Sequence, residues 1–310
     1  MHVQSHFTPA IGNVKLSQVH SLGERVRHFC SKNHIRLDKQ LGQHFLIDEN
    51  VLNTIIESAN IKPFDHIVEI GPGIGILTAE LLKKAEHVTA IEVDAKLITI
   101  SKNYLILNLQ TCPSRLGRAE TGKLDNLLTL IHGNALKAPF PREPYKIVAN
   151  IPYHITSPLL RHAFLESQTP PVSLTLMIQK EVAQKICDEK SPGLLTILTN
   201  LFGKPKITAF APPESFLPPP EVHSAVLHIE CFGDPKADKQ TIDEIFRLAK
   251  IAFSQKRKML RNTIGMLPHG GELLSSLGIE EKRRPQELSI EEWIALAEKF
   301  AEDTVRDSES

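Results

Sequence analysis

The chain has 310 residues, 41% of them apolar, enough for a full core in one large domain and a smaller one. Its 36 basic and 36 acidic side chains cancel, so no global basic field exists and any nucleic-acid contact must come from a local patch. Cys30, Cys112, Cys187 and Cys231 are far apart without a Cys-x-x-Cys pair, which argues against a zinc site and a disulfide framework, and no apolar run approaches the ~20 residues of a membrane span.

Residues 1 to about 33 read as an N-terminal extension, with a helix over Leu16–Lys32. A second helix covers Asn50–Ala59. From His66 the chain alternates strand and helix. The strands are His66–Ile70, His87–Glu92, Leu128–His132, Tyr145–Ala149 and Ser173–Ile178, with helices such as Ile76–Lys84 and Ala95–Leu107 between them. Such alternation predicts an α/β fold with a parallel sheet covered on both faces. Gln110–Asp125 is polar and reads as a surface loop. Ile207–Phe210 and Ala225–Ile229 are two further strands with no helix between them, and the segment from Pro212 to Pro220 is too proline-rich for either regular state. A parallel sheet ending in an antiparallel hairpin is the order of a class I, Rossmann-like methyltransferase. Gly233-Asp234-Pro235 is a linker. Thr241–Phe253 and Ile290–Ala301 then have helical periodicity, which predicts a small helical C-terminal domain over residues 236–303, after a cofactor-binding domain over 34–232.

Asn150-Ile151-Pro152-Tyr153 follows the strand Tyr145–Ala149. It places an amide, a rigid turn and an aromatic face at the carboxyl edge of the sheet, where open α/β sheets bind ligands. The set suits a flat base with an exocyclic amine. The Asn150 oxygen and a turn carbonyl can accept from the amine, Pro152 fixes the backbone, and Tyr153 stacks on the ring.

Val68 to Gly75 joins a strand to a helix through Gly71, Gly73 and Gly75. Glycines there let the backbone approach a ligand and open the helix N-terminus. By itself such a turn also serves NAD, FAD or structure alone. Glu92 ends the next strand, 21 residues after Gly71, where a carboxylate can accept from both ribose hydroxyls. Pro72 and the Gly-x-Gly-x-Gly spacing favour S-adenosylmethionine over a dinucleotide. Asn134, after the third strand, can pair with an adenine edge or serve as an ordinary turn asparagine.

Together with Leu41-Gly42-Gln43-His44-Phe45-Leu46, Ala90 to Asp94, Gln179 to Ala183, Phe216 to Ser224, Phe253 to Asn262 and Arg284 to Ser289, these motifs occur in an order that resembles the ribosomal RNA adenine N6-dimethyltransferases over residues 34 to about 300. The resemblance implies that His44 and Leu46 line the methionine end of S-adenosylmethionine, that Gly71 and Gly73 form the turn, and that Glu92 holds the ribose and Asn134 the adenine. It implies that Asn150 sits between cofactor and target, and that Tyr153 and Phe216 grip the two faces of an extruded adenine. The family usually has Asn at position 44 and Asp at position 134.

Lys256, Arg257, Lys258 and Arg261 cluster on one predicted helix, with Arg257 and Arg261 on a shared face, and with Arg247 and Lys250 could contact phosphates. Lys282-Arg283-Arg284 is a second basic cluster beside Glu280 and Glu281. The family implies dimethylation of two adjacent adenosines in the 3′-terminal hairpin of small-subunit (16S) ribosomal RNA, within a 30S precursor. The enzyme is expected to be cytoplasmic, monomeric and metal-free, with no membrane partner. A large-subunit ribosomal RNA methyltransferase and a non-catalytic assembly or RNA-binding factor are the alternatives.

Overall fold

The computed structural model describes residues 21–35, 42–109, 121–255 and 257–309. The first helix, α1 (Leu22–Lys32), begins at a capping box in which the Ser21 hydroxyl accepts from Glu24 N–H and the Glu24 carboxylate accepts from Ser21 N–H. Its buried face is Leu22, Val26 and Phe29, the i, i+4, i+7 stripe of an amphipathic helix. The expected start at Leu16 lies outside the described residues. A two-residue strand β1 (Phe45–Leu46) leads into α2 (Glu49–Ser58), whose first turn is capped by the Asp48 carboxylate.

The alternation then runs β2 (His66–Ile70), α3 (Ile76–Leu81), β3 (His87–Glu92), α4 (Ala95–Leu109), α5 (Thr121–Leu127), β4 (Leu128–His132) and β5 (Tyr145–Asn150). It continues with α6 (Thr156–Arg161), β6 (Ser173–Gln179), α7 (Lys180–Ile186), α8 (Leu194–Phe202), β7 (Gly203–Ala211), β8 (Phe216–Leu217) and β9 (Ser224–Cys231). The end of the expected loop before β4 belongs to α5; its residues 110–120 lie outside the described residues. Seven strands form one sheet in the order β4-β3-β2-β5-β6-β9-β7. The ladders from β4 to β6 are parallel, and β9 pairs antiparallel with both β6 and β7. The expected hairpin strands are thus neighbours, although β8 intervenes in the chain. β8 itself corrects the expectation of an irregular proline segment, because Phe216 and Leu217 pair antiparallel with Leu46 and Phe45.

Strand alternation divides the core. On β2, Ile67 faces one cluster, with α1 to α4, while Val68 and Ile70 face the other. Tyr145, Ile147 and Ala149 of β5 point to this second cluster and Val148 to the first. The central strands β2, β5 and β6 are buried on both faces, as a parallel sheet requires.

The last elements are α9 (Lys239–Phe253), α10 (Gly270–Ser276) and α11 (Ile290–Glu309). Their apolar faces, including Ile245, Leu248, Leu274 and the fully buried Trp293, belong to the same cluster as Leu176 and Leu227 of the sheet. Each large side chain buried there stabilises the contact by roughly 1.5–3 kcal/mol. No helix among the described residues is long and apolar enough to cross a membrane.

Candidate active site

The carboxyl ends of β2, β3, β4 and β5 surround a cavity of ≈ 330 Å³. The turn after β2 brings glycines against it: Gly71, Gly73 and Gly75 have φ of 65°, 60° and 95°, values that L side chains rarely adopt. At Gly73 the need is also spatial, because a Cβ would lie 2.9 Å from the Phe45 ring. The Gly71 N–H donates to the Ile91 carbonyl at 2.9 Å and ties the turn to β3.

Glu92 ends β3 beside this turn. One carboxylate oxygen accepts from Gly73 N–H at 3.1 Å and the other from Asp94 N–H at 3.0 Å. Burial pushes its pKa up, against the pull of these N–H groups. Each oxygen keeps a lone pair for a further donor. Asn134 lines the cavity from the loop after β4, but its side-chain oxygen accepts from Leu136 N–H at 2.9 Å. The turn role is therefore realised, and the Asn134 NH2 group is the part offered as a donor.

A second acid reaches the cavity that sequence reasoning gave no role. Glu69 is 1% exposed on β2, between Val68 and Ile70, and Oε2 has no hydrogen-bond partner. Burial, with the Glu92 charge adding to it and Thr78 opposing, raises its pKa to about 8. A glutamate inside an otherwise apolar strand, two residues before Gly71, was the available signal.

Asn150 closes β5 and lines the cavity with Ile151, Pro152 and Tyr153. Its Nδ2 donates to the His44 carbonyl at 3.0 Å, which commits the amide end and leaves Oδ1 as an acceptor. The Ile155 N–H bonds the Pro152 carbonyl at 3.1 Å and starts a short turn over Tyr153–Ile155. The Tyr153 hydroxyl is 2.5 Å from the Ser224 hydroxyl of β9, and burial raises its pKa. The His44 ring lies nearly parallel to Tyr153, with centroids 6.1 Å apart and 16° between planes. His44 Nδ1 donates to the Pro218 carbonyl at 2.7 Å. Leu46 also lines the cavity, so His44, Leu46, Gly71, Gly73, Glu92, Asn134 and Asn150 meet in one place.

Phe216 does not join them. It is 2% exposed and packs in the cluster with Leu46, its strand partner, and Met177. The β1–β8 register turns it into the core, so the expected second face for a base is not offered by this ring.

The basic segments also differ from expectation. The helix ends at Phe253, where the Ser254 hydroxyl donates back to the Ile251 carbonyl at 2.7 Å. Buried Leu260 then draws the chain inward, and Leu260–Asn262 is a 3-10 turn. Arg257 and Arg261 thus share no helix face, and Lys256 lies outside the described residues. Instead Leu260 N–H bonds the Arg283 carbonyl at 2.8 Å and Arg261 N–H the Glu281 carbonyl at 2.9 Å, which joins the two basic segments. Arg257, Lys258, Arg261, Lys282 and Arg284 are exposed. Arg283 is engaged by Glu292 at 2.6 and 2.9 Å, and Arg247 by Glu244 at 2.7 and 2.6 Å.

Residues 34–302 match the family described as ribosomal RNA adenine dimethylase. The chain belongs to that family. It is 39% identical over 279 residues to a ribosomal RNA small subunit methyltransferase A of Dehalococcoides mccartyi, covering 86% of this chain and 89% of that protein. The crystal structure of a dimethyladenosine transferase from Plasmodium falciparum superposes with a TM-score of 0.70 at 27% identity, over 84% of this chain and 98% of the other. The 23S rRNA methyltransferase ErmE has the same fold, with a TM-score of 0.62 at 24% identity over 83% and 99% of the two chains. The sheet is thus that of a Rossmann-like methyltransferase. No group of three or more His, Cys, Asp or Glu able to hold a metal occurs among the described residues.

Proposed function

We propose that this chain dimethylates N6 of two adjacent adenosines in the 3′-terminal hairpin of small-subunit ribosomal RNA, using S-adenosylmethionine, during assembly of the subunit. It acts as a cytoplasmic monomer on a 30S precursor. The observation that carries this reading is the commitment of Asn150 Nδ2 to the His44 carbonyl, which leaves Oδ1 as an acceptor beside the glycine turn. An adenine amine donates two N–H bonds, and its lone pair is delocalised into the ring. Asn150 Oδ1 and the Ile151 carbonyl, which takes no hydrogen bond within the described chain, would hold those N–H groups and turn the lone pair out of conjugation. Positioning and fixed dipoles then supply most of the rate.

The residues present fit the methyl donor. The glycine cradle, closed to a side chain by Phe45, admits backbone approach, and Glu92 keeps lone pairs for the ribose hydroxyls. Asn134 would donate to the adenine, while His44 and Leu46 border the methionine end. When bound, the sulfonium supplies a methyl already activated for displacement, so no further activating group is required of the chain. The target base must leave its stack to reach the cavity, and Tyr153 would take one face of it, a contact worth about 1–3 kcal/mol. After one transfer N6 keeps one hydrogen, so one of the two acceptors can still hold it and a second transfer remains chemically possible.

The joined basic segments, with Arg257, Lys258, Arg261 and Arg284 exposed, support phosphate contacts on a folded RNA read by shape. Lys256 would extend them. The test is transfer of labelled methyl to unmethylated small-subunit particles, with primer-extension mapping of the products. Two adjacent stops in the 3′-terminal hairpin are expected. A stop confined to large-subunit RNA, or no transfer at all, would overturn the reading.

A further inference from the structure

The grip just described holds the amine but gives its proton no destination. Two hydrogen-bond acceptors, an amide oxygen and a peptide carbonyl, are too weakly basic to take it. The neighbouring ring is not. His44 Nδ1 is 2.7 Å from the Pro218 carbonyl. A carbonyl has only lone pairs to offer, so Nδ1 must carry the hydrogen, and the neutral ring then presents a lone pair at Nε2. No hydrogen bond to Nε2 is made among the described residues. We propose that His44 is the proton acceptor of methyl transfer, its tautomer set by the Pro218 carbonyl and its Nε2 receiving the proton that leaves N6. The inference rests on the methyl-transfer reading above.

Three features place the ring for this task. The His44 backbone carbonyl is the group that fixes Asn150, so the imidazole and the amide that grips the amine belong to one unit. The ring lies nearly parallel to Tyr153, 6.1 Å away, at the same wall of the cavity. Its anchor Pro218 follows β8, which pairs with β1 directly after His44, so the two ends of the Nδ1 bond are tied by the Phe45–Leu217 and Leu46–Phe216 ladder. An asparagine in place of His44 could accept a hydrogen bond but not a proton.

In the step, the N6 lone pair forms the N–C bond to the methyl carbon and the C–S electron pair stays on sulfur, leaving a neutral thioether. One of the two N6 hydrogens then leaves its acceptor as a proton and passes to Nε2, the other stays on the now neutral N6, and the imidazolium returns its proton to water. The other ionisable groups that line the same cavity are Tyr153 and His154 after β5, Glu69 on β2 and Glu92 at the end of β3; His223 immediately precedes Ser224, the hydrogen-bond partner of Tyr153. Of these only His154 and His223 are imidazoles.

The test is the pH dependence of single-turnover methyl transfer to small-subunit particles at saturating donor and RNA. Wild type, His44→Asn, His154→Gln and His223→Gln are compared. The expected result is a wild-type rate that falls on the acid side. In His44→Asn the rate at neutral pH drops about 10- to 100-fold, no more than the lower end of general-base effects because a methylated amine cation is itself acidic, and the acid limb disappears. The limb persists in both other variants. A His44→Asn enzyme with the wild-type rate, or one that keeps the limb, overturns the proposal. Nitrogen-15 NMR of the ligand-free wild-type protein gives a readout independent of folding in the variant. A hydrogen on Nδ1 and a bare Nε2 at neutral pH are expected, and a hydrogen on Nε2 overturns the assignment. Absence of any transfer by the wild type would instead overturn the proposed function.

Discussion

The Asn150 side chain and the His44 backbone, 106 positions apart in the chain, are joined by one hydrogen bond of 3.0 Å. That bond decides which end of the Asn150 amide addresses the cavity. Replacing Asn150 by alanine should reduce single-turnover methyl transfer by about 10²–10³, the cost of losing one preorganised polar group in a closed site. Affinity for S-adenosylhomocysteine, measured by calorimetry, should change far less. Full activity in the alanine variant would refute the grip.

Glu69 provides a pH signature of the fold itself. In the unfolded chain it ionises near the ordinary value of 4.5, whereas in the folded protein it holds its proton up to about 8. The folded state therefore binds more protons between these values. Stability from this group is fully present below about pH 4.5 and is lost as pH rises to about 8. Glu69→Gln keeps the shape without an ionisable proton. Its midpoint of thermal unfolding, relative to wild type, should rise steadily from pH 5 to pH 8; a constant difference would show that Glu69 is ionised throughout.

Gly73→Ala tests the cradle. The new Cβ meets the Phe45 ring at 2.9 Å in a backbone with φ of 60°. The strain should cost about 1–3 kcal/mol, and calorimetric affinity for S-adenosylhomocysteine should fall at least about tenfold as the turn shifts. Unchanged affinity would mean that the turn does not touch the donor.

Arg261 and Arg283 lie on the joined basic segments but should behave differently. Arg261 is exposed, while Arg283 is held by Glu292. Arg261→Ala should weaken RNA binding across sequences and lower the salt slope of log Kd by about one. Arg283→Ala should lower the melting temperature with a smaller effect on that slope. Filter binding at several salt concentrations separates the two, and equal slopes for Arg261→Ala and wild type would remove Arg261 from the RNA surface.

The amino-acid order by itself determined the alternating elements, because strand and helix periodicities are local properties. β2, β3 and β4 begin and end where the apolar runs do. It also determined the set of residues around the cavity, since parallel strands deliver their carboxyl ends to one edge whatever the side chains there do. Three things were decided only by tertiary contacts. Phe216, an aromatic residue in a proline-rich segment, went into the core because pairing with Leu46 buries both side chains. The basic run after α9 left the helix because Leu260 had a buried site to fill and Arg283 and Glu281 offered backbone partners. The acceptor end of Asn150 and the tautomer of His44 were settled by two carbonyls, His44 O and Pro218 O. Hydrogen-bond direction depends on what lies within about 3 Å in space, and no local pattern along a chain records that.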